Sequence, residues 1–95
     1  MAAYIIFEVD VKDHEGYSKN RELIQPTLNP YDGKFLVRGG NVNCLEGDWM
    51  PERLVVVEFP NSEKAREWWG SEAYYPAKKV RQETTKTNLI LVEGV

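Results

Sequence analysis

Glu8, Arg38, Glu58 and Glu93 stand within or at the ends of runs of apolar, β-branched and aromatic residues. Burying an unpaired ion there costs several kcal/mol, so each charge needs a partner or a purpose. An arginine among carboxylates can fix the register of an interface as an ion pair. The same arginine facing a cavity can receive the carboxylate or enolate oxygen of a small ligand. Glu58 and His14 are the weak candidates for a base, which must lie within hydrogen-bond reach of an acidic carbon and near a cation at the developing oxyanion. His14 is the only histidine and is flanked by Asp13 and Glu15; it reads first as a solvated residue of a first helical turn. Tyr17, Trp68, Trp69, Tyr74 and Tyr75 fall in helical segments, where such rings are mostly core. Their N–H and O–H groups need partners when buried, and a pocket walled by them suits a flat apolar or aromatic ligand. Arg38, Tyr17, Trp69 and Tyr74 are thus the candidate ligand-binding residues. A single histidine leaves no His-based metal site, an all-carboxylate site would need Glu58 and Glu93 to converge, and neither a metal nor a cofactor is expected.

The rest of the composition narrows the partners. With 95 residues, 42% of them hydrophobic, the chain is expected to be one domain over 1–95 with a thin core. A net charge of −3 argues against nucleic acid or an anionic membrane as partner. The basic cluster Lys78, Lys79, Arg81 and Lys86 is interrupted by Glu83 and reads as a solvated helix face. No run approaches the roughly 18 apolar residues of a membrane span, and the opening MAAYIIFEVD lacks the basic start of a signal peptide. Cys44 is the only cysteine, which excludes an internal disulfide; beside Leu45 it reads as a packed or edge-strand thiol rather than a nucleophile. A cytoplasmic location follows as the expectation.

The elements that must position these residues alternate in type. Ala3 to Val11 reads as a strand with Ile5, Phe7 and Val9 on one face and Tyr4, Ile6, Glu8 and Asp10 on the other. Asp13 can cap a helix carrying the stripe Tyr17, Arg21, Ile24 and Leu28, bent at Pro26 and stopped by Pro30 and Gly33. A strand at Lys34–Arg38 meets Gly39 and Gly40, read as a bulge or bend before Val42 to Leu45 continues it; Glu46–Glu52 then loops into a strand at Arg53–Phe59. Asn61 and Ser62 start a helix that Gly70 ends, Ser71 caps a further helical piece with Pro76 near its start, and Asn88–Val92 forms the last strand.

The order β-α-β-β-α-β predicts an α+β, ferredoxin-like domain: a four-stranded antiparallel sheet, order 4-1-3-2, with the helices on one face. Taking Ile5, Phe7, Val9, Val55, Val57, Phe59, Ile90 and Val92 toward the helices leaves Ile6, Leu36, Leu54, Val56, Leu89 and Leu91 on the other face. That face is too apolar for water, so a homodimer through the sheets is expected, a dimeric α/β barrel. This register puts Glu8, Arg38, Glu58 and Glu93 on the dimer face, with Arg38 able to pair with Glu8 or with the partner subunit.

Several motifs occur together: Glu15-Gly16-Tyr17, Phe35-Leu36-Val37-Arg38-Gly39-Gly40, Leu45-Glu46-Gly47-Asp48-Trp49, Val57-Glu58-Phe59-Pro60 and the closing Leu91-Val92-Glu93-Gly94. In combination, along essentially the whole chain, they resemble the family called domain of unknown function 1330, within the dimeric α/β-barrel superfamily. The resemblance implies a ferredoxin-like subunit that pairs through its sheet, and no particular reaction. The superfamily spans cofactor-free monooxygenases, haem-degrading enzymes, isomerases and stress-associated proteins, so activity does not transfer by fold. The expectation is a homodimer binding a small apolar or aromatic carboxylate or keto ligand between helices and sheet, with Arg38 and Tyr17 as polar contacts. Two rivals stand beside it. One is a cofactor-independent enzyme, of monooxygenase or isomerase type, on an activated aromatic or enolisable substrate, with Glu58 or His14 as base. The other is a structural or stress-associated dimer without a ligand.

Overall fold

Alternation in the first strand sets the layering, and a computed structural model describes residues 1–95. Ala3, Ile5, Phe7 and Val9 of β1 (Ala3–Val11) are buried, while the residues between them are only half-buried. The chain continues through α1 (His14–Leu28), β2 (Lys34–Arg38), β3 (Arg53–Phe59), α2 (Ser62–Trp69), α3 (Tyr75–Thr84) and β4 (Thr85–Glu93). All pairings are antiparallel in the order β2-β3-β1-β4, and the helices cover one face: a ferredoxin-like α+β fold. The second helical region is thus two helices, broken where Gly70 ends α2. No helix is long and apolar enough to cross a membrane.

Local chemistry accounts for the helix ends. The Asp13 carboxylate accepts from the Gly16 amide at 3.0 Å and caps α1, which runs through Pro26 to a 3-10 turn at Asn29–Tyr31. Asn61 caps α2 by accepting from Lys64 N at 2.8 Å. Pro76 fits the first turn of α3, where a missing N–H costs nothing. At the other end the Thr84 and Thr85 hydroxyls donate to the Val80 and Arg81 carbonyls at 2.7 and 2.6 Å. These bonds end the helix and turn the chain straight into β4, so the strand begins three residues before the expected Asn88.

Between helices and sheet the core centres on Trp68, which has no exposed surface. Its ring stacks on Tyr74 at 3.9 Å and meets Phe59 and Phe7, while its Nε1 donates to Thr27 Oγ1 at 2.9 Å. Asn20 Nδ2 donates to Ala77 O at 2.7 Å and ties α1 to α3.

Three expectations are corrected by the register. β4 pairs Leu91 with Ile5 and Leu89 with Phe7, so Leu89 and Leu91 face the helices and Ile90 and Val92 face away. Both pairs are aliphatic, which left the alternation without direction. Glu93 pairs with Ala3 and therefore also lies on the helix side, where it accepts from Ser62 Oγ at 3.3 Å beside the positive end of α2. Arg38 changes face too: Phe35 pairs with Val57 but Val37 with Val56, a bulge of one residue that returns Arg38, opposite Val55, to the helix side.

The segment after Arg38 does not continue the strand. Val42 to Leu45 lie in an irregular loop, and Cys44 is exposed within it rather than packed in an edge. One end of this loop is latched to the helix-free face. Trp49 Nε1 donates to Glu8 Oε2 at 2.6 Å, and Asn88 Nδ2 donates to Oε1 at 3.0 Å, so Glu8 pairs with these groups and not with Arg38. Both bonds favour the ionised acid and hold the Glu8 pKa below the ordinary glutamate range, the Trp49 bond most. A depressed folded pKa means the latch is fully present above the unfolded value and is lost as pH falls through the folded one. Acid titration should therefore change the Trp49 fluorescence below the ordinary glutamate range while far-UV dichroism holds, and Glu8→Gln should remove that step.

Candidate functional site

Two adjacent rows of the sheet build the site. One row carries Arg38, Val55, Phe7 and Leu89 toward the helices, and the next carries Arg53, Val9 and Thr87. Above them α1 presents Tyr17, Asn20, Arg21 and Ile24 at helical spacing, and α3 contributes Arg81. The enclosed space is about 20 Å³, room for roughly one water, because the side chains themselves fill it. Toward solvent the cavity widens into a mouth of about 260 Å³ that shares Tyr17, Arg21 and Arg53 and adds His14, Ser18 and Glu52.

Charge is the unusual feature. The inner cavity is lined by four arginines, Arg21, Arg38, Arg53 and Arg81, and by no carboxylate. The protein carries a net charge of −3, yet its ion pairs are Lys12–Asp10, Lys34–Glu58 and Lys79–Glu83, none involving these arginines. Backbone and neutral groups take the donors of Arg38 and Arg53 instead. Arg38 Nη2 donates to the Arg21 carbonyl at 2.7 Å and Nη1 weakly to Gln25 Oε1 at 3.4 Å, with the guanidinium 4.3 Å from the Phe35 ring centre. Arg53 Nε donates to the Tyr17 hydroxyl at 3.3 Å. Burial, then the positive charges of Arg21 and Arg53, push the Arg38 pKa down. An arginine stays protonated at physiological pH regardless, so that crowding is expressed as unrelieved positive potential. Arg81 is only 5% exposed, and its Nε and Nη2 have no hydrogen-bond partner.

The candidate residues separate accordingly. Arg38 and Tyr17 meet in the inner cavity, and His14 lies at its mouth. Trp69 lines a neighbouring apolar groove of about 280 Å³ with Ile5, Ala65, Leu89 and Leu91. Tyr74 is fully buried against Trp68; burial pushes its phenol up, partly offset by the nearby Arg81 charge, and its hydroxyl has no partner of hydrogen-bond geometry. Glu58 lies on the opposite face of the sheet, 3.1 Å from Lys34 Nζ, and cannot serve as base for this cavity. Arg53 and Arg81 escaped sequence reasoning: one opens a strand and the other sits in a lysine-rich helix turn that looked solvated. Arg21 was placed on the correct stripe without a role. The available signal was the alternation of β3, which puts Arg53 on the same face as Val55, Val57 and Phe59.

The helix-free face is ordered by the same registers. Val37, Val56, Ile6 and Ile90 form a continuous apolar row across all the strands. Lys34, Glu58, Tyr4 and Val92 flank it on one side, and Leu54, Glu8 and Asn88 on the other. Ile90 is 55% and Leu36 50% exposed in the single subunit.

A family model described as domain of unknown function (DUF1330) matches residues 2–95. No functionally curated protein matches the chain. Among solved structures, a protein of unknown function from Rhodopseudomonas palustris superposes with a TM-score of 0.80 at 19% identity, covering 99% of this chain and 82% of its own. SnoaB, a cofactor-independent oxygenase from Streptomyces nogalater, gives a TM-score of 0.70 at 8% identity, covering 99% and 93%. A dimeric ferredoxin-like protein of unknown function from Bacteroides fragilis gives 0.67 at 16%, covering 98% and 96%. At such identities the likeness is one of fold.

Proposed function

The chain belongs to the DUF1330 family, a family of unknown function, and from that premise we propose a cytoplasmic homodimer that binds a small apolar or aromatic carboxylate or keto acid between helices and sheet. The observation that carries this reading is the inner cavity lined by four arginines and no carboxylate, the nearest acid on its walls being Glu52 out at the mouth. Crowding guanidiniums in a half-buried space costs free energy, and a carboxylate accepting bidentate hydrogen bonds offsets it. Tyr17 and Phe35 supply aromatic walls, and the mouth gives entry. Because the inner space is so small, the acid head would displace the weak Arg38–Gln25 contact, which long arginine stems allow. The single cysteine, exposed and unpaired, suits a reducing compartment.

Pairing through the sheet is supported by the apolar row with its polar flanks, the anatomy of an interface core and rim. The related fold from Bacteroides fragilis is described as dimeric. The ligand reading is tested by thermal shift with benzoate, phenylpyruvate and their uncharged amides. A dose-dependent rise for the acids and none for the amides is expected, since binding to the native state alone raises Tm. Equal shifts for acids and amides, or none for either, would end the proposal.

A second reading, a cofactor-independent enzyme, draws support from His14, which shares the mouth with Tyr17, Arg21 and Arg53. A base and cations at one opening are what proton abstraction beside a carbonyl requires. The fold likeness to an oxygenase that works without a cofactor is consistent with it. Exchange of a bound keto acid's α-hydrogens for solvent deuterium, faster than in buffer, would separate catalysis from binding.

A further inference from the structure

Arg81 presents a requirement that one carboxylate does not meet. Its guanidinium lies between the Phe7 and Trp69 rings, 5.6 and 5.7 Å from their centres, on the α3 side of the cavity. Arg38 and Arg53 approach the same cavity from the sheet. The facing titratable groups offer no negative charge. Tyr17 and Tyr74 are phenols, Tyr74 with its pKa raised, and the remaining charged lining groups are arginines. The Tyr74 hydroxyl is near enough to Arg81 to ease its own raised pKa, but Arg81 Nε and Nη2 find no acceptor in hydrogen-bond geometry; buried donors so placed are rare in native structures and mark an unmade contact. A monocarboxylate saturates one guanidinium, or bridges two, and leaves a buried positive charge on one side.

Building on the acid-binding reading above, we infer that the natural ligand carries two negative charges, one set against Arg38 and Arg53 on the sheet and the other against Arg81 on α3. A short dicarboxylate has this chemistry. Because the enclosed space holds about one water, the ligand requires the Arg38 stem to leave Gln25; its carbon skeleton would then lie against Phe7 and Val55 with a charge at each end.

Calorimetric titration of the full chain with butyrate, succinate and inorganic phosphate tests the inference. Succinate should bind at least ~10-fold tighter than butyrate and tighter than inorganic phosphate, whose charges sit on one centre, with a steeper loss in salt as expected for more ion contacts. Arg81→Met should bring the ratio of succinate to butyrate affinity to about one. Arg81→Lys, which keeps the charge without the planar fork, should retain part of it. Should Arg81→Met not fold, the ligand series on the unaltered chain decides alone. Butyrate binding as tightly as the dianions overturns the two-charge inference and leaves the acid-binding reading standing. No binding by any acid, aromatic ones included, overturns both.

Discussion

Val56→Asp is expected to leave the subunit folded and to abolish its self-association. Val56 sits at the centre of the apolar row, paired with Ile6 on one side and Val37 on the other, and its side chain points away from the helices. In an isolated subunit an aspartate there meets water and costs little beyond strand propensity, within about 1 kcal/mol. In a dimer formed across this face the same residue is buried from both subunits, because a two-fold interface contains each position twice. Two unpaired carboxylates at several kcal/mol each would weaken association by ~10³-fold or more. Sedimentation should show a monomer for the variant and a dimer for the parent at micromolar concentration, with far-UV dichroism unchanged. A Val56→Asp protein that stays dimeric would move the interface to another surface and detach the apolar row from any role in assembly.

How much of this was legible in the chain depends on which physical signal each element carried. β1 and β3 begin and end where the sequence pattern places them, because charge, glycine and proline punctuate their ends; β2 begins at Lys34 as expected but stops at Arg38 without resuming through Val42–Leu45. The Asp13 and Asn61 caps were legible for the same reason: an oxygen-bearing side chain stands before each helical stripe. The direction of β4 was not. Leu89, Ile90, Leu91 and Val92 are all aliphatic, and only hydrogen bonding to β1 decides which pair is inside. Arg38 shows the larger lesson. A single extra residue at Leu36–Val37 moves it from the supposed dimer face into the cavity, and two adjacent aliphatic residues give no sign that both oppose Val56. Residue chemistry alone marks Arg38 and Tyr17 as candidates for a polar site. Its geometry, with Arg53 and Arg81 joining them, came from long-range pairing that local pattern does not encode. The apolar character of the helix-free face survived the error in β4, since exchanging one aliphatic pair for another leaves the face equally apolar.

Arg38→Met separates the ligand role from the interface role in one variant. The methionine keeps an apolar stem against Phe35 and removes the guanidinium with its bonds to the Arg21 carbonyl and Gln25. Two opposing effects act on the free protein. Losing those hydrogen bonds destabilises the fold, whereas removing one of several crowded, partly buried positive charges stabilises it, so the change in Tm should be small. Binding has no such compensation. A carboxylate that loses a charge-assisted partner forfeits about 1.5–3 kcal/mol, an affinity loss of ~10- to 100-fold for benzoate or succinate alike. Sedimentation should be unchanged, because Arg38 faces the helices and the bulge keeps it off the helix-free face through which pairing is proposed. An Arg38→Met protein that dissociates while still binding acids would restore the ion-pair role that the simple strand alternation implied. One that binds acids as tightly as the parent would shift the carboxylate to Arg53, whose Nε bond to Tyr17 makes it the next guanidinium along the same wall.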